Sequence, residues 1–157
     1  MKKIDEMDCQ ILEELQRDGR ITVKDLSEKL GLSPTPIFER IKKLEKAGII
    51  DHYAAILNHK KVGKTLYAFA HISLKDHSKA LVEQFTKQIN SIEEVLECHY
   101  VTGDTDFILK ILINNMEQYR EFVMNSLFDR SNIANVETFL SLSVSKQSNV
   151  ISLKPIG

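Results

Sequence analysis

Between Ser33 and Lys46, the residues Ser33, Pro34, Thr35, Glu39, Arg40, Lys42, Lys43 and Lys46 surround an apolar repeat of Ile37, Ile41 and Leu44. Small hydroxyl residues at the N-terminal end of a helix can meet base edges in a DNA groove. Arginine and lysine further along can hold phosphates, which supplies affinity and register without sequence information. The same charges also suit a plain solvated helix. Phe38 follows Ile37 and lies off the apolar stripe. It either packs on a neighbouring helix, the preferred reading, or meets a thymine methyl in the groove. A second cluster is Tyr-Val-Thr-Gly-Asp-Thr-Asp at Tyr100–Asp106. A glycine between two strands lets backbone amides turn outward, where they can hold a carboxylate, and neighbouring carboxylates can hold an ammonium. A free amino acid presents that pair of charges. Gly-Asp-Thr-Asp is equally a good hairpin turn, so the residues alone leave both readings open.

Other chemistries find little support. The five histidines and two cysteines show no C-x-x-C or H-E-x-x-H spacing. Cys98 and His99 are adjacent, so on a strand they face opposite ways. Neither metal nor cofactor is expected. No nucleophile elbow or phosphate-binding glycine loop is present, and an enzyme is not expected.

The elements that must position these residues read as follows. Ile4, Met7, Ile11, Leu12 and Leu15 form the stripe of a first helix over residues 4–18, with Asp5, Glu6 and Asp8 at its positive end. Thr22 and Asp25 stand at capping-box spacing before a second helix, which Gly31 closes. Ser33 restarts a third helix, with Pro34 and Pro36 where missing amides do no harm. Helix, short glycine turn, helix is the helix-turn-helix pattern. Ile49–Leu57 is apolar and partly β-prone, as expected for a strand and linker after a winged helix-turn-helix, and residues 58–64 are polar and cationic. From Leu66 onward, strand, helix, strand, strand, helix and strand follow, with strands near 66–75, 95–102, 107–113 and 136–144. Ser78 and Asn115 are the expected helix caps. That order is the ferredoxin-like split unit.

The fold class is therefore α+β, an N-terminal winged helix-turn-helix followed by a ferredoxin-like βαββαβ domain. The spans are 1–57 for the DNA-binding domain, 58–64 for a hinge and 65–157 for the effector-binding and oligomerisation domain. Both helices of the second domain should cover one sheet face. The other face, with Tyr67 and Phe69, would stay wet in a monomer, so a dimer through this sheet is expected. The tail from Gln147 is expected to add an edge strand or to clasp a partner subunit.

A net charge of −1 over 157 residues hides an asymmetry. Through Lys64 there are 13 Lys/Arg against 11 Asp/Glu, and beyond it 8 against 11. The mild basic excess is therefore in the front half. No apolar run is long enough for a membrane span, and the charged start MKKIDEMD lacks a secretion signal's apolar region. Cysteines far apart in sequence do not form a disulfide framework, and a cytoplasmic setting is expected.

Asp5–Leu15 as D-x-x-D-x-x-I-L-x-x-L, Leu26–Ile50 as LSEKLGLSPTPIFERIKKLEKAGII, and VTGDTDFILK at Val101–Lys110 together resemble the Lrp/AsnC (feast/famine) transcription regulators. The C-terminal KQSNVISLK is most similar to the leucine-responsive branch. The resemblance covers nearly the whole chain. It implies a regulator of double-stranded DNA that forms homodimers and assembles to octamers. It implies an amino acid effector held at Thr102, Gly103, Asp104, Thr105 and Asp106, with Thr138 contributed by a neighbouring subunit. Leucine or another apolar amino acid is the expected effector, on branch resemblance alone. Two other classes stay in view: an amino-acid sensor acting through a protein partner, and a small ferredoxin-like enzyme fused to a DNA-binding domain.

Overall fold

The computed structural model describes residues 3–127 and 132–156. The chain divides into two compact units, Met1–Ile56 with Ser145–Gly157, and Leu57–Val144.

In the first unit, α1 spans Glu6–Arg17, α2 Val23–Leu30 and α3 Pro34–Lys46. Asp5 caps α1 in a reciprocal box. The Asp8 amide donates to Asp5 Oδ1 at 2.8 Å, and the Asp5 amide donates to Asp8 Oδ2 at 3.3 Å. Thr22 and Asp25 repeat the device on α2, whose end is turned by Gly31 at φ 66°. Ser33 occupies the N-cap position of α3 but its side chain makes no capping bond. Two prolines in that first turn leave fewer amides to satisfy. Ile11, Leu12, Leu26, Ile37, Ile41 and Leu44 close the three-helix core. Because Thr22 Oγ1 accepts from the Asp25 amide, Thr22→Ala should cost about 1 kcal/mol. Chemical denaturation should show it as a lower midpoint at unchanged slope.

Two expectations about this unit are corrected. Ile49 and Ile50 pack against the helical core, but residues 51–58 run without strand pairing among the described residues. A β-prone run needs a partner edge to become a strand; residues 51–58 pair with none among the described residues, and Tyr53, Ile56 and Leu57 stay exposed. The tail, placed by sequence in the 65–157 span, folds with the first unit. Ile4 and Ile156 exchange both backbone bonds, at 3.1 and 3.0 Å. The Gln16 amide accepts from the Ile151 amide at 2.8 Å and donates to its carbonyl at 3.2 Å. Leu153 packs on the three-helix core. One apolar side chain, one backbone bridge and the Gln16 side-chain amide thus hold the tail along α1.

In the second unit, β1 is Leu66–Leu74, α4 Lys79–Ile89, β2 Val95–Tyr100, β3 Phe107–Ile113, α5 Met116–Phe122 and β4 Ile133–Leu140. A π-helical turn, Val123–Leu127, continues α5. The sheet is antiparallel in the order β2-β3-β1-β4, as the split βαββαβ arrangement requires. Alternation sends Ala68, Ala70, Ile72 and Leu74 of β1, with Phe107, Leu109, Ile111 and Ile113 of β3, into one core with Phe85, Ile89, Phe122 and Leu127. Asn115 caps α5 through the Gln118 amide, whereas Ser78 makes no side-chain cap. The opposite sheet face carries Phe69 and Phe139, both partly exposed, beside His71, whose ring lies 5.0 Å from that of Phe139.

The cationic segment read as a hinge is a folded turn. His59–Val62 forms a 3-10 turn capped by Asn58, and His59 Nδ1 lies 2.7 Å from the Lys64 carbonyl. The His59 ring meets Tyr67 edge-on at 4.9 Å. Gly63, at φ 81°, turns the chain into β1.

Candidate functional site

The outer surface of α3 follows from its apolar period. With Ile37, Ile41 and Leu44 buried, Ser33, Pro34, Thr35, Glu39, Lys42, Lys43 and Lys46 are exposed. The turn that presents α3 is closed by the Ser27 hydroxyl, which donates to the Leu32 carbonyl. Nothing in the sequence pattern pointed to that bond. Lys42 pairs with Glu45 at 2.9 Å, and its ammonium stands 5.8 Å from the centre of the Phe38 ring. Lys43 and Lys46 have no ion pair among the described residues. They are the cations of α3 left for an outside anion.

Arg40 behaves differently from its neighbours. Its Nη1 donates to Asp5 Oδ2 at 2.7 Å and to Asp8 Oδ1 at 2.6 Å. Asp8 is only 3 % exposed. The residue read as a phosphate contact is thus turned towards the start of α1. The Asp8 amide, followed by the Arg40 guanidinium, holds the Asp5 carboxyl below its ordinary range, and the same pairing raises Arg40. A carboxyl depressed by folding stabilises above its unfolded pKa, and this contribution is lost as pH falls through the folded value.

Phe38 departs from its expected packing. It is 50 % exposed, on the flank of α3 that also carries Lys42. The core positions are already filled at spacings of three and four, and residue 38 falls a quarter turn away from them.

The second cluster lies where β2 passes to β3. Thr102, Gly103 and Asp104 are exposed, and Gly103 adopts φ 131° with open space where a side chain would begin. Thr105 and Asp106 are committed to holding the loop. Thr105 Oγ1 donates to the Ile72 carbonyl at 2.7 Å. Asp106 Oδ2 accepts from the Leu74 amide at 2.7 Å, and His77 Nε2 sits 3.0 Å from Asp106 Oδ1. The loop is therefore tied to the end of β1, with its glycine corner free. His77 had no sequence signal, since only the fold brings it to Asp106. Thr138 is on β4 opposite Ala70, and it accepts a hydrogen bond from the Tyr119 hydroxyl. A single chain does not bring it to the loop.

Burial pushes the Cys9 and Cys98 thiols up, away from nucleophilic behaviour. Among the described residues no group of three His, Cys, Asp or Glu side chains could hold a metal ion, and no helix is long and apolar enough to cross a membrane.

Residues 4–51 match the winged helix-turn-helix DNA-binding family model, and residues 67–151 match that of the Lrp/AsnC ligand binding domain. The chain belongs to the Lrp/AsnC family. It is 38% identical over 98% of its length to the leucine-responsive regulatory protein of Klebsiella pneumoniae, covering 93% of that protein. It is 39% identical to the one of Haemophilus influenzae, with 98% and 92% covered. Among solved structures, a transcriptional regulator from Neisseria meningitidis in complex with L-Met superposes with a TM-score of 0.89 at 35% identity, covering 96% of each chain. An AsnC family transcriptional regulator from Agrobacterium tumefaciens gives 0.90 at 29% identity, over 94% and 95%. This Lrp/AsnC chain is thus a DNA-binding transcription regulator with an amino-acid-binding domain, and not an enzyme. Its own winged helix-turn-helix match together with its homology to regulatory proteins disfavours a sensor acting through a protein partner.

Proposed function

We propose that this regulator works in the cytoplasm as a homodimer assembling to an octamer, and that it reads an operator of two half-sites with α3. Ser33, Pro34, Thr35 and Glu39 face base edges, while Lys43 and Lys46 hold phosphates and Lys42, paired with Glu45, flanks them. Residues 1–57 carry this activity, 58–64 join them to the effector domain, and 65–157 bind effector and make the assembly. A free apolar amino acid, leucine or methionine, sits at Thr102, Gly103, Asp104, Thr105 and Asp106, with Thr138 supplied by a neighbouring subunit. The observation that carries the DNA reading is the exposed, unpaired cation pair Lys43 and Lys46 on α3. Support for the effector comes from relatives named leucine-responsive and from the solved relative holding L-Met. The partly exposed aromatic face of the sheet supports the dimer.

The test is fluorescence anisotropy on a duplex enriched from a random library by the wild-type chain, against a scrambled duplex. Salt is titrated with and without millimolar leucine or methionine. A preference for the enriched duplex, a steep salt slope and an amino-acid-dependent shift are expected. Enrichment of nothing overturns the DNA reading, and no shift with either amino acid overturns the effector assignment.

Phe38 adds a finer expectation. Its exposed ring beside Lys42 suits a thymine methyl in the groove. Replacing one operator thymine by deoxyuridine removes that methyl, and wild-type affinity should fall roughly threefold to fivefold at that position. Phe38→Ala should be indifferent to the same replacement. Equal sensitivity in both proteins excludes the contact.

A further inference from the structure

Arg40 is the cation of α3 that is turned inward, and its surroundings say what it does. The capping box of α1 uses one oxygen from each of its carboxylates. Asp5 Oδ1 accepts from the Asp8 amide and Asp8 Oδ2 accepts from the Asp5 amide. The remaining oxygens, Asp5 Oδ2 and Asp8 Oδ1, both accept from the same guanidinium nitrogen, Arg40 Nη1, at 2.7 and 2.6 Å. The helix cap and the inter-helix tie are therefore built from the same two side chains. Asp8 is almost wholly buried, and a buried carboxylate is costly unless its oxygens find hydrogen-bond partners. No buried side-chain polar atom among the described residues lacks a hydrogen bond, and for Asp8 it is Arg40 that completes the set.

Two consequences follow for DNA. First, one guanidinium beside two carboxylates makes a cluster with an excess of negative charge. Such a cluster does not replace counterions on a phosphate backbone. Second, Ile37, Ile41 and Leu44 pack α3 on the core through non-directional contacts. The Arg40 bridge adds two short directional bonds on one flank, and these define the rotation of α3 about its own axis. Readout of base edges depends on that rotation, because side chains around a helix are spaced by about 100°.

We propose that Arg40 is a positioning residue for DNA recognition, bridging the α1 capping box to set the presentation of α3, and that it makes no phosphate contact. This inference rests on the reading of α3 as the recognition helix.

The test uses the full-length chain, the enriched duplex and its scrambled version, with Lys43→Ala as comparison. Arg40→Ala should lose about tenfold of the preference for the enriched duplex, of the order of one base contact. Its salt slope should stay at the wild-type value. Lys43→Ala should weaken both duplexes alike and flatten the slope by about 0.9 for each half-site. Both bonds leave one nitrogen, so Arg40→Lys keeps a cation able to donate to both carboxylates and should recover part of the preference; Arg40→Gln should not. If Arg40→Ala does not fold, Asp5→Asn serves instead. It keeps a good N-cap while removing one charge from the bridge, and it should lose preference without a flatter slope. A slope flattened by about 0.9 for each half-site in Arg40→Ala, or preference retained in a folded Arg40→Ala or, where that does not fold, in Asp5→Asn, overturns the proposal. Failure of Lys43→Ala to change the slope would instead count against α3 as the DNA-facing helix, which separates the two failures.

Discussion

Lys43→Ala combined with Lys46→Ala is expected to bind the operator roughly a hundredfold more weakly for each half-site engaged, at about 1.5 kcal/mol for each charge-assisted contact. The plot of log affinity against log salt should flatten by about 1.8 for each half-site, twice the increment for one neutralised phosphate on duplex DNA. The reasoning is local. Lys42 is already engaged with Glu45 and Phe38, and Arg40 with Asp5 and Asp8. That leaves Lys43 and Lys46 as the exposed cations of α3 without an internal partner among the described residues. Both sites are solvated in the free protein, so the fold should be indifferent to the change and thermal stability should move little. The scrambled duplex should weaken by the same factor, because phosphate contacts carry no sequence information. An unchanged slope would show that phosphate is bound elsewhere.

Asp104→Ala and Asp106→Ala should both abolish the response to the amino acid, and for different reasons. Asp104 is exposed beside Gly103 and is the free carboxylate of the corner. Removing an ammonium partner there should weaken effector binding by roughly ten- to a hundredfold, with stability untouched. Asp106 holds the loop to β1 through the Leu74 amide and His77. Its loss leaves a half-buried amide without an acceptor and should cost about 1–3 kcal/mol of stability as well. Isothermal titration with leucine and methionine, beside chemical denaturation, separates the two. Sedimentation should show the effector-dependent change in assembly lost in both. A wild-type response in Asp104→Ala would reduce the loop to a turn.

The two domains were legible because their signals are short in range. Apolar spacing of three and four placed α1, α2 and α3. The Thr22–Asp25 box and Gly31 marked the limits of α2. Alternation placed β1, β2 and β3, with β3 at Phe107–Ile113 as expected, whereas β4 runs Ile133–Leu140 and not over 136–144, because its pairing with β1 ends at Leu140. Their order carried the βαββαβ topology, and the family resemblance added the effector loop that residue spacing alone could not separate from a turn. The capping box of α1 was also written in the chain, as aspartates three residues apart, although only their charge had been used.

What the tertiary structure decided concerns residues whose partners lie far away in sequence. Arg40 has the composition of a phosphate contact, but its carboxylates stand 35 and 32 residues earlier. The same holds for Asp106, fastened to Leu74 and His77, for the tail laid along α1 from Gln16 to Ile4, and for Phe38, left out of a core already full. Residues 51–58 have β propensity but pair with no strand among the described residues. Periodicity and capping are settled within a few residues by backbone geometry, so they can be read in order along the chain. Which cation stays free for DNA depends on which anion packing brings within 3 Å, and that is a property of three helices together.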